Sequence, residues 1–293
     1  MNESHLLKLI ESRSRGLALA GADLLVGPGD DAAVVRTAGG DRLVLTVDQL
    51  VEGRHFESGT SLELVARKAV ARSVSDIAAM GAMPVWAMAT GLLPEGFAQG
   101  DELFAALYKW ANAFSCPLIG GDIASGPGPM ALTVTVCGTM EAGHEPKLRS
   151  GAKVGDEIWI TGPVGNSFAS GWHLSFEPRI EIGRGASALM DVHAMIDLSD
   201  GLGRDAGRVG RASGVTLEID AAKIPLRDGA TDWRTAIGEG EDYELLVLGK
   251  GLAGKLAGLI GPIGVVRAGE PGAVVIDEVG VRHDVGGMGW DHA

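Results

Sequence analysis

The residues best placed to do chemistry are aspartates. Asp30 and Asp31 lie in a glycine loop, Gly27 to Asp31. Asp48 is expected to end a strand, Asp122 follows Gly120-Gly121, and Asp197 and Asp200 bracket Ser199 just after a strand. Strand ends are where open α/β sheets gather ligands, and adjacent glycines let the backbone come close to one. Asp76 falls on an expected helix, sharing a face with Val65 and Ala69 and close to Met80. That face otherwise reads as small or apolar. A carboxylate there is either solvated at the helix end or held by a cation, since burying it unpaired costs roughly several kcal/mol. A single Asp in a glycine loop is commonly a turn former or a cap. Recurrence at element ends points further, although spacing alone does not show that the side chains converge.

Oxygen donors of this kind favour Mg²⁺ or Mn²⁺. The sequence has no His/Cys cluster suited to zinc. It has neither a Walker-type Gly-Lys-Ser/Thr loop nor a Gly-x-Gly-x-x-Gly opening a helix after a strand.

The elements that must position these groups follow from pattern. An amphipathic helix is expected over about Glu3 to Ser14, and strands over Ala32 to Val35 and Leu43 to Val47. Thr60-Ser61-Leu62-Glu63 is a capping box that opens a helix to about Met80, with Gly81 at its C-terminal cap and Pro84 beyond. Val85 to Gly91 reads as a strand, Asp101 to Phe114 as a helix, and Pro117 to Ile119 and Leu132 to Thr139 as strands. The polar stretch Glu141 to Gly155 is the expected domain boundary, giving domains 1–145 and 146–293. Beyond it, strands are expected at Glu157 to Thr161, Ala194 to Asp197, Val215 to Ile219 and Tyr243 to Leu248, with a helix at Leu202 to Ala212 capped by Gly214.

At 293 residues the chain is long enough for two domains. Its formal charge of −13 makes nucleic acid an unsuitable partner, because phosphates would be repelled. An anionic ligand would need a positive partner, and a bound metal ion is the obvious one. Cys116 and Cys137 sit in apolar surroundings and read as reduced core residues. The uncharged runs Ile77 to Pro94 and Ile123 to Met140 are broken by Gly and Pro, so no membrane span and a soluble, cytoplasmic protein are expected.

Several ordered segments resemble the thiamine-monophosphate kinase family, within the aminoimidazole-ribonucleotide-synthetase-like superfamily. They are Gly29-Asp30-Asp31-Ala32-Ala33, Thr46 to Phe56, Ser75 to Ala82, Leu118 to Asp122, Arg149 to Lys153, Asp197 to Leu202, Gly240 to Leu245 and the terminal Gly289-Trp290-Asp291-His292. The resemblance implies a two-domain α/β fold of the α+β type, with an N-terminal domain forming a dimeric β-barrel-like core and a C-terminal α/β domain. It implies ATP as co-substrate, several Mg²⁺ ions, thiamine monophosphate as acceptor, thiamine diphosphate as product, and a homodimer. Carried over by position, Asp30, Thr46, Asp48, Asp76, Asp122, Asp197 and Asp200 would hold the metal ions. Gly121, Asp122, Arg149 and Ser199 would contact ATP, and His55, Glu241 and Trp290 the thiamine substrate.

These roles agree with the chemistry. Phosphoryl transfer to an already ionised phosphate oxygen needs positioning and charge neutralisation, not a general base. Arg149 offers a fork that matches a phosphate, and Trp290 could stack on a thiazolium or pyrimidine ring. The chain departs from the family pattern at Val47, Ser73, Ile123 and Glu239, and its stretch from Gly165 to Arg184 is short. Metal number and substrate fit are the properties these departures touch. Alternatives are a superfamily member activating another small metabolite, or a nucleotide-binding regulator without turnover. The Cys residues expected of hydrogenase-maturation and selenophosphate-synthesising relatives are missing at the two termini.

Overall fold

The computed structural model describes residues 9–10, 12–14 and 19–290. The expected helix at Glu3 to Ser14 lies largely outside these residues, as do Asp291 and His292. Strands β1 (Ala22–Val26), β2 (Ala33–Thr37), β3 (Arg42–Val51), β4 (Met83–Pro94), β5 (Leu118–Gly126) and β6 (Ala131–Thr139) form a sheet in the order β1-β2-β3-β6-β4-β5. Only β4 and β5 run parallel in it. A second sheet holds β7 (Glu157–Ile160), β8 (Val192–Asp197), β9 (Thr216–Asp220), β10 (Leu245–Gly249), β11 (Ile260–Arg267), β12 (Gly272–Ile276) and β13 (Arg282–Asp284). Its order is β13-β12-β9-β11-β7-β10-β8. Helices α1 (Leu62–Ala79) and α2 (Gly100–Ala113) accompany the first sheet. Helices α3 (Trp172–Ser175), α4 (Ile180–Ser187), α5 (Leu202–Ser213) and α6 (Trp233–Glu239) belong to the second half.

The architecture is thus mixed α/β, with two largely antiparallel sheets. The first sheet is open: among the described residues β1 and β5 do not pair, so one chain closes no barrel. The antiparallel topology also removes the strand-end argument for most of the aspartates. Asp48 lies inside β3 and Asp122 inside β5, and only Asp197 closes its strand.

Helix α1 is the keystone. Ser61 caps it, its hydroxyl accepting from the Leu64 N–H at 3.4 Å, and the chain leaves it through Gly81 at φ +73°. It packs on β3 and β6 on one side, and on α3, α4 and β8 of the second half on the other. Covered on both sides, it is buried almost all round. Gly183 of α4 permits that approach, because a Cβ there would lie 2.0 Å from the Ala78 carbonyl oxygen.

The outer face of the first sheet is bare among the described residues. Val47 on β3 is 61% exposed, and Met88 and Leu92 on β4 are about 40% exposed. Cys116 and Cys137 are buried free thiols, and no described helix is long and apolar enough to cross a membrane.

Candidate active site

Lys68, Arg72 and Asp76 recur at every fourth position of α1 and so form one stripe along it. This polar stripe is the main departure from the expected small, apolar face around Asp76. Its C-terminal end meets Asp31, from the loop between β1 and β2, and Asp197, at the end of β8. Ligand oxygens of Asp31, Asp76 and Asp197 lie within 4.8 Å of one another.

Each carboxylate is held by a neighbour. The Thr46 hydroxyl donates to Asp76, Ser75 Oγ donates to Asp197 Oδ2 at 2.6 Å, and Arg149 Nη2 donates to Asp31 Oδ1 at 2.6 Å. The other oxygen of Asp31 is buried without a hydrogen-bond partner. Burial, followed by mutual repulsion, pushes the pKa values of Asp76 and Asp197 well above the usual carboxylate range. Asp30 is pushed up to about 6 by burial and by Asp31, although the Arg149 backbone N–H donates to it. Three converging carboxylates with one orphaned oxygen and raised proton affinity suit a hard divalent cation. The oxygens around such an ion are about 3–4 Å apart, because Mg–O distances are about 2.1 Å. The donor set therefore fits magnesium.

The remaining expected ligands divide into near and far. Asp48 sits on the α1 side of β3, with the Arg72 Nε 3.5 Å from its Oδ2. The Arg72 guanidinium is buried beside Tyr243, Asp48, Glu241 and Asp76; burial opposes its charge, and the neighbouring carboxylates favour it. Asp200 is paired with Arg208, and its carbonyl accepts the Trp290 N–H at 2.9 Å. Ser199 accepts the Glu241 N–H at 2.7 Å, which ties the β8–α5 loop to the Glu241 loop. Asp205 caps that loop from below, receiving the Asp200 and Gly201 N–H groups, and burial lifts its pKa to about 7.

Gly121 and Asp122 are not brought to the cluster. Asp48 pairs with Val134, Val134 with Ala89, and Ala89 with Gly121. Gly121 is therefore three strand spacings away, about 14 Å, and Asp122 is exposed on the edge strand. Gly121 is required by the sheet itself, since a Cβ there would lie 1.9 Å from the Ala89 carbonyl oxygen. Val47 points to the outer face, opposite Thr46 and Asp48, so a hydroxyl at that position would not face this chain's own cluster. Ser73 Oγ donates to the Val134 carbonyl, Glu239 accepts from the Asn166 N–H, and Ile123 is exposed on β5.

The N-terminal end of the stripe meets the residues expected at the acceptor. Lys68, fully buried, is 2.5 Å from Glu241 Oε2, 2.5 Å from the His55 carbonyl oxygen and 2.8 Å from His173 Nδ1. Burial lowers the Lys68 pKa to about 8, with Glu241 opposing the shift. Burial, and then the Lys68 charge, lower that of His173 to about 4. His55 is buried, and its Nδ1 accepts from the Val51 N–H at 2.9 Å. Trp290 faces Phe168, with ring centroids 6.4 Å apart.

Residues 29–140 match the family described as AIR synthase related protein, N-terminal domain. The thiamine-monophosphate kinase of Rhodopirellula baltica is 34% identical over 263 residues, covering 83% of this chain and 81% of that protein. The chain belongs to the thiamine-monophosphate kinase family. The Escherichia coli K12 member is 35% identical, covering 76% of each chain. The solved structure of AaThiL complexed with AMPPCP and TMP superposes with a TM-score of 0.84 at 27% identity, covering 100% of this chain and 97% of that one. The hydrogenase maturation protein HypE, at 17% identity and a TM-score of 0.71, shares the fold. Within the thiamine-monophosphate kinase frame, sequence reasoning singled out Asp31 beside Asp30 but gave the metal role to Asp30 alone, and it missed Lys68, Arg72, Ser75 and Asp205. The spacing of 68, 72 and 76 is a signal that finds two of them. Which of two adjacent aspartates turns inward has no signal in sequence.

Proposed function

We propose that this chain transfers the γ-phosphoryl group of ATP to thiamine monophosphate, giving ADP and thiamine diphosphate. The observation that carries the reading is the convergence of Asp31, Asp76 and Asp197 around an unsatisfied Asp31 oxygen. Its family membership and its likeness to AaThiL, solved with AMPPCP and TMP, support the same reading.

Asp30, Asp31, Asp48, Asp76, Asp197 and Asp200, with Thr46, would hold Mg²⁺, which supplies charge neutralisation between donor and acceptor phosphates. Thr46 and Ser75 fix the carboxylate rotamers by hydrogen bonds. Arg149, anchored on Asp31, presents the rest of its fork to a nucleotide phosphate, and Ser199 lies on the same loop as Asp197 and Asp200. The acceptor oxygen is already ionised at neutral pH, so no side chain need remove a proton. His55, Glu241 and Trp290 surround the acceptor. Their frame is rigid because Lys68 ties Glu241 to the His55 carbonyl. An ATP-consuming biosynthetic step of this kind belongs in the cytoplasm.

We take residues 1–145 as the nucleotide, metal and dimerisation domain and 146–293 as the domain completing the site. Two features support a homodimer: the bare apolar outer face of the first sheet, and the 14 Å strand offset of Gly121 and Asp122. A second chain laid on that face would complete a barrel-like core and bring its Asp122 to this chain's metal cluster.

The test is thiamine diphosphate formation from ATP and thiamine monophosphate with Mg²⁺. Absence of product, with ATP still bound, would end this reading. For the shared site, Asp76→Asn and Asp122→Asn should each be inactive alone. Mixed under subunit exchange they should regain roughly a quarter of wild-type activity, because one site in each heterodimer carries both aspartates. No recovery despite heterodimer formation removes Asp122 from the partner's site.

A further inference from the structure

Helix α1 buries two arginines, and they are held in different ways. Arg67 is well served. Its guanidinium donates to the Leu174 carbonyl at 3.2 Å and to Glu177 at 2.5 Å, and lies 5.0 Å from the centroid of the Trp110 ring. Arg72, with 7% of its side chain exposed, is held loosely. Its Nη1 donates to the Gln49 carbonyl at 3.3 Å, and its Nε faces Asp48 Oδ2 at 3.5 Å. That Nε is buried without a hydrogen-bond partner among the described residues. A fold gains little from a buried cation kept this poorly, because an apolar side chain of similar volume fills the same space at less cost.

The surroundings of Arg72 supply a reason for it. Asp76 lies within electrostatic reach of Asp48, Asp197 and Asp31. Of these four carboxylates, Asp31 has a cation of its own, the Arg149 guanidinium at 2.6 Å. Asp76 and Asp197 are held by hydroxyl donors, from Thr46 and Ser75. Asp48 has Arg72. The oxygens that converge closely enough for one ion belong to Asp31, Asp76 and Asp197, and Asp48 stands outside that trio. One arginine therefore faces the trio at Asp31, and the other faces the carboxylate that the trio leaves out.

We propose that Arg72 is the resident cation of the Asp48 corner: in the nucleotide-free chain it neutralises Asp48 in place of a divalent ion, and so confines metal to Asp31, Asp76 and Asp197. Arg72 is a positioning residue, because it acts through Asp48. It pairs with Oδ2, and a carboxylate has a second oxygen that stays available to metal arriving with a nucleotide. A guanidinium keeps its proton at any working pH, so this charge is fixed where a bound ion would come and go. The inference rests on the function proposed above only in reading the carboxylate cluster as a metal site.

The experiment counts Mn²⁺ bound to the nucleotide-free protein, by electron paramagnetic resonance of the free ion, for the wild type, Arg72→Met, Arg72→Lys, and Arg72→Met combined with Asp48→Asn. Arg72→Met should bind one more equivalent than the wild type, because a unit positive charge no longer opposes an ion at Asp48. Its Tm should also rise more than that of the wild type when Mn²⁺ is added. Arg72→Lys, which keeps the charge, should bind the wild-type number. The double variant should return to the wild-type number, since the cation and its carboxylate are both gone. Removing both partners of a buried pair is tolerated better than removing one, so the double variant decides the matter if Arg72→Met does not fold. An arginine that only fills space would leave the number unchanged or lowered in Arg72→Met, and that result overturns the inference. Fewer ions in the double variant than in the wild type would make Asp48 a metal ligand of the resting chain, and overturns it as well. If the counts follow the proposal and the wild type forms no thiamine diphosphate, the resident cation stands and the proposed reaction fails. If product forms normally and the count in Arg72→Met does not rise, the reaction stands and the resident cation fails.

Discussion

The two ends of the charged stripe on α1 are built in opposite ways. At Asp76 the stripe meets two more carboxylates, one oxygen has no partner, and burial raises proton affinities. At Lys68 the stripe meets one carbonyl and one imidazole by hydrogen bonds and one carboxylate by an ion pair, so the ammonium is surrounded by three electron-rich groups. The first end is incomplete without a cation. The second end already holds its own cation, with Glu241 Oε2 facing Lys68 as an ion pair without hydrogen-bond geometry, and serves as a frame. A single rigid helix therefore carries a site that must be loaded next to one that is preorganised, with Arg72 between them.

Breaking the incomplete end should have the largest effect on turnover. Asp76→Asn should lower the rate of thiamine diphosphate formation at least about a thousandfold, because positioned charge neutralisation is the main catalytic contribution. The metal-free protein should melt no lower than wild type, since a repulsive buried charge has been removed. Near-normal turnover would take Asp76 out of the site.

Breaking the Lys68 end should act on folding first. Lys68→Met leaves Glu241 buried without its cation, and removing one partner of a buried pair costs about 3–5 kcal/mol. Denaturant unfolding should read that loss, and Lys68→Met with Glu241→Gln should recover part of it. A loss under about 1 kcal/mol would show the pair to be solvated.

A smaller effect separates the ends by pH. His173 has a folded pKa near 4 against an ordinary value of 6.5. Between those values the unfolded chain binds a proton that the folded chain does not, so this residue's contribution to stability is lost as pH falls from about 6.5 to about 4. His173→Phe should flatten the fall measured by denaturation at pH 7, 6 and 5. An unchanged slope would assign it to other groups.

Much of this frame is legible in the sequence. The capping box, the run of small and apolar residues and Gly81 define α1 nearly to the residue, and Asp76 stands out on it as a carboxylate that is either solvated at the helix end or held by a cation. The strand limits at the other aspartates are less legible. Asp48 looks like the end of a strand because a charge follows an apolar run, yet β3 continues through it with Arg72 as its partner. Gly120-Gly121-Asp122 looks like a turn, yet Gly121 is glycine because two strands approach too closely for a Cβ. Asp31 is hidden by its neighbour Asp30, since only tertiary packing decides which one faces Asp76 and Asp197.

The contrast between the two ends can be measured directly by titrating Mn²⁺ into the nucleotide-free chain and into its Asp76→Asn and Lys68→Met variants. The account predicts saturable binding to the wild type, binding weakened at least tenfold in Asp76→Asn, and wild-type binding by whatever fraction of Lys68→Met is folded. Binding to Asp76→Asn as tight as to the wild type would contradict it.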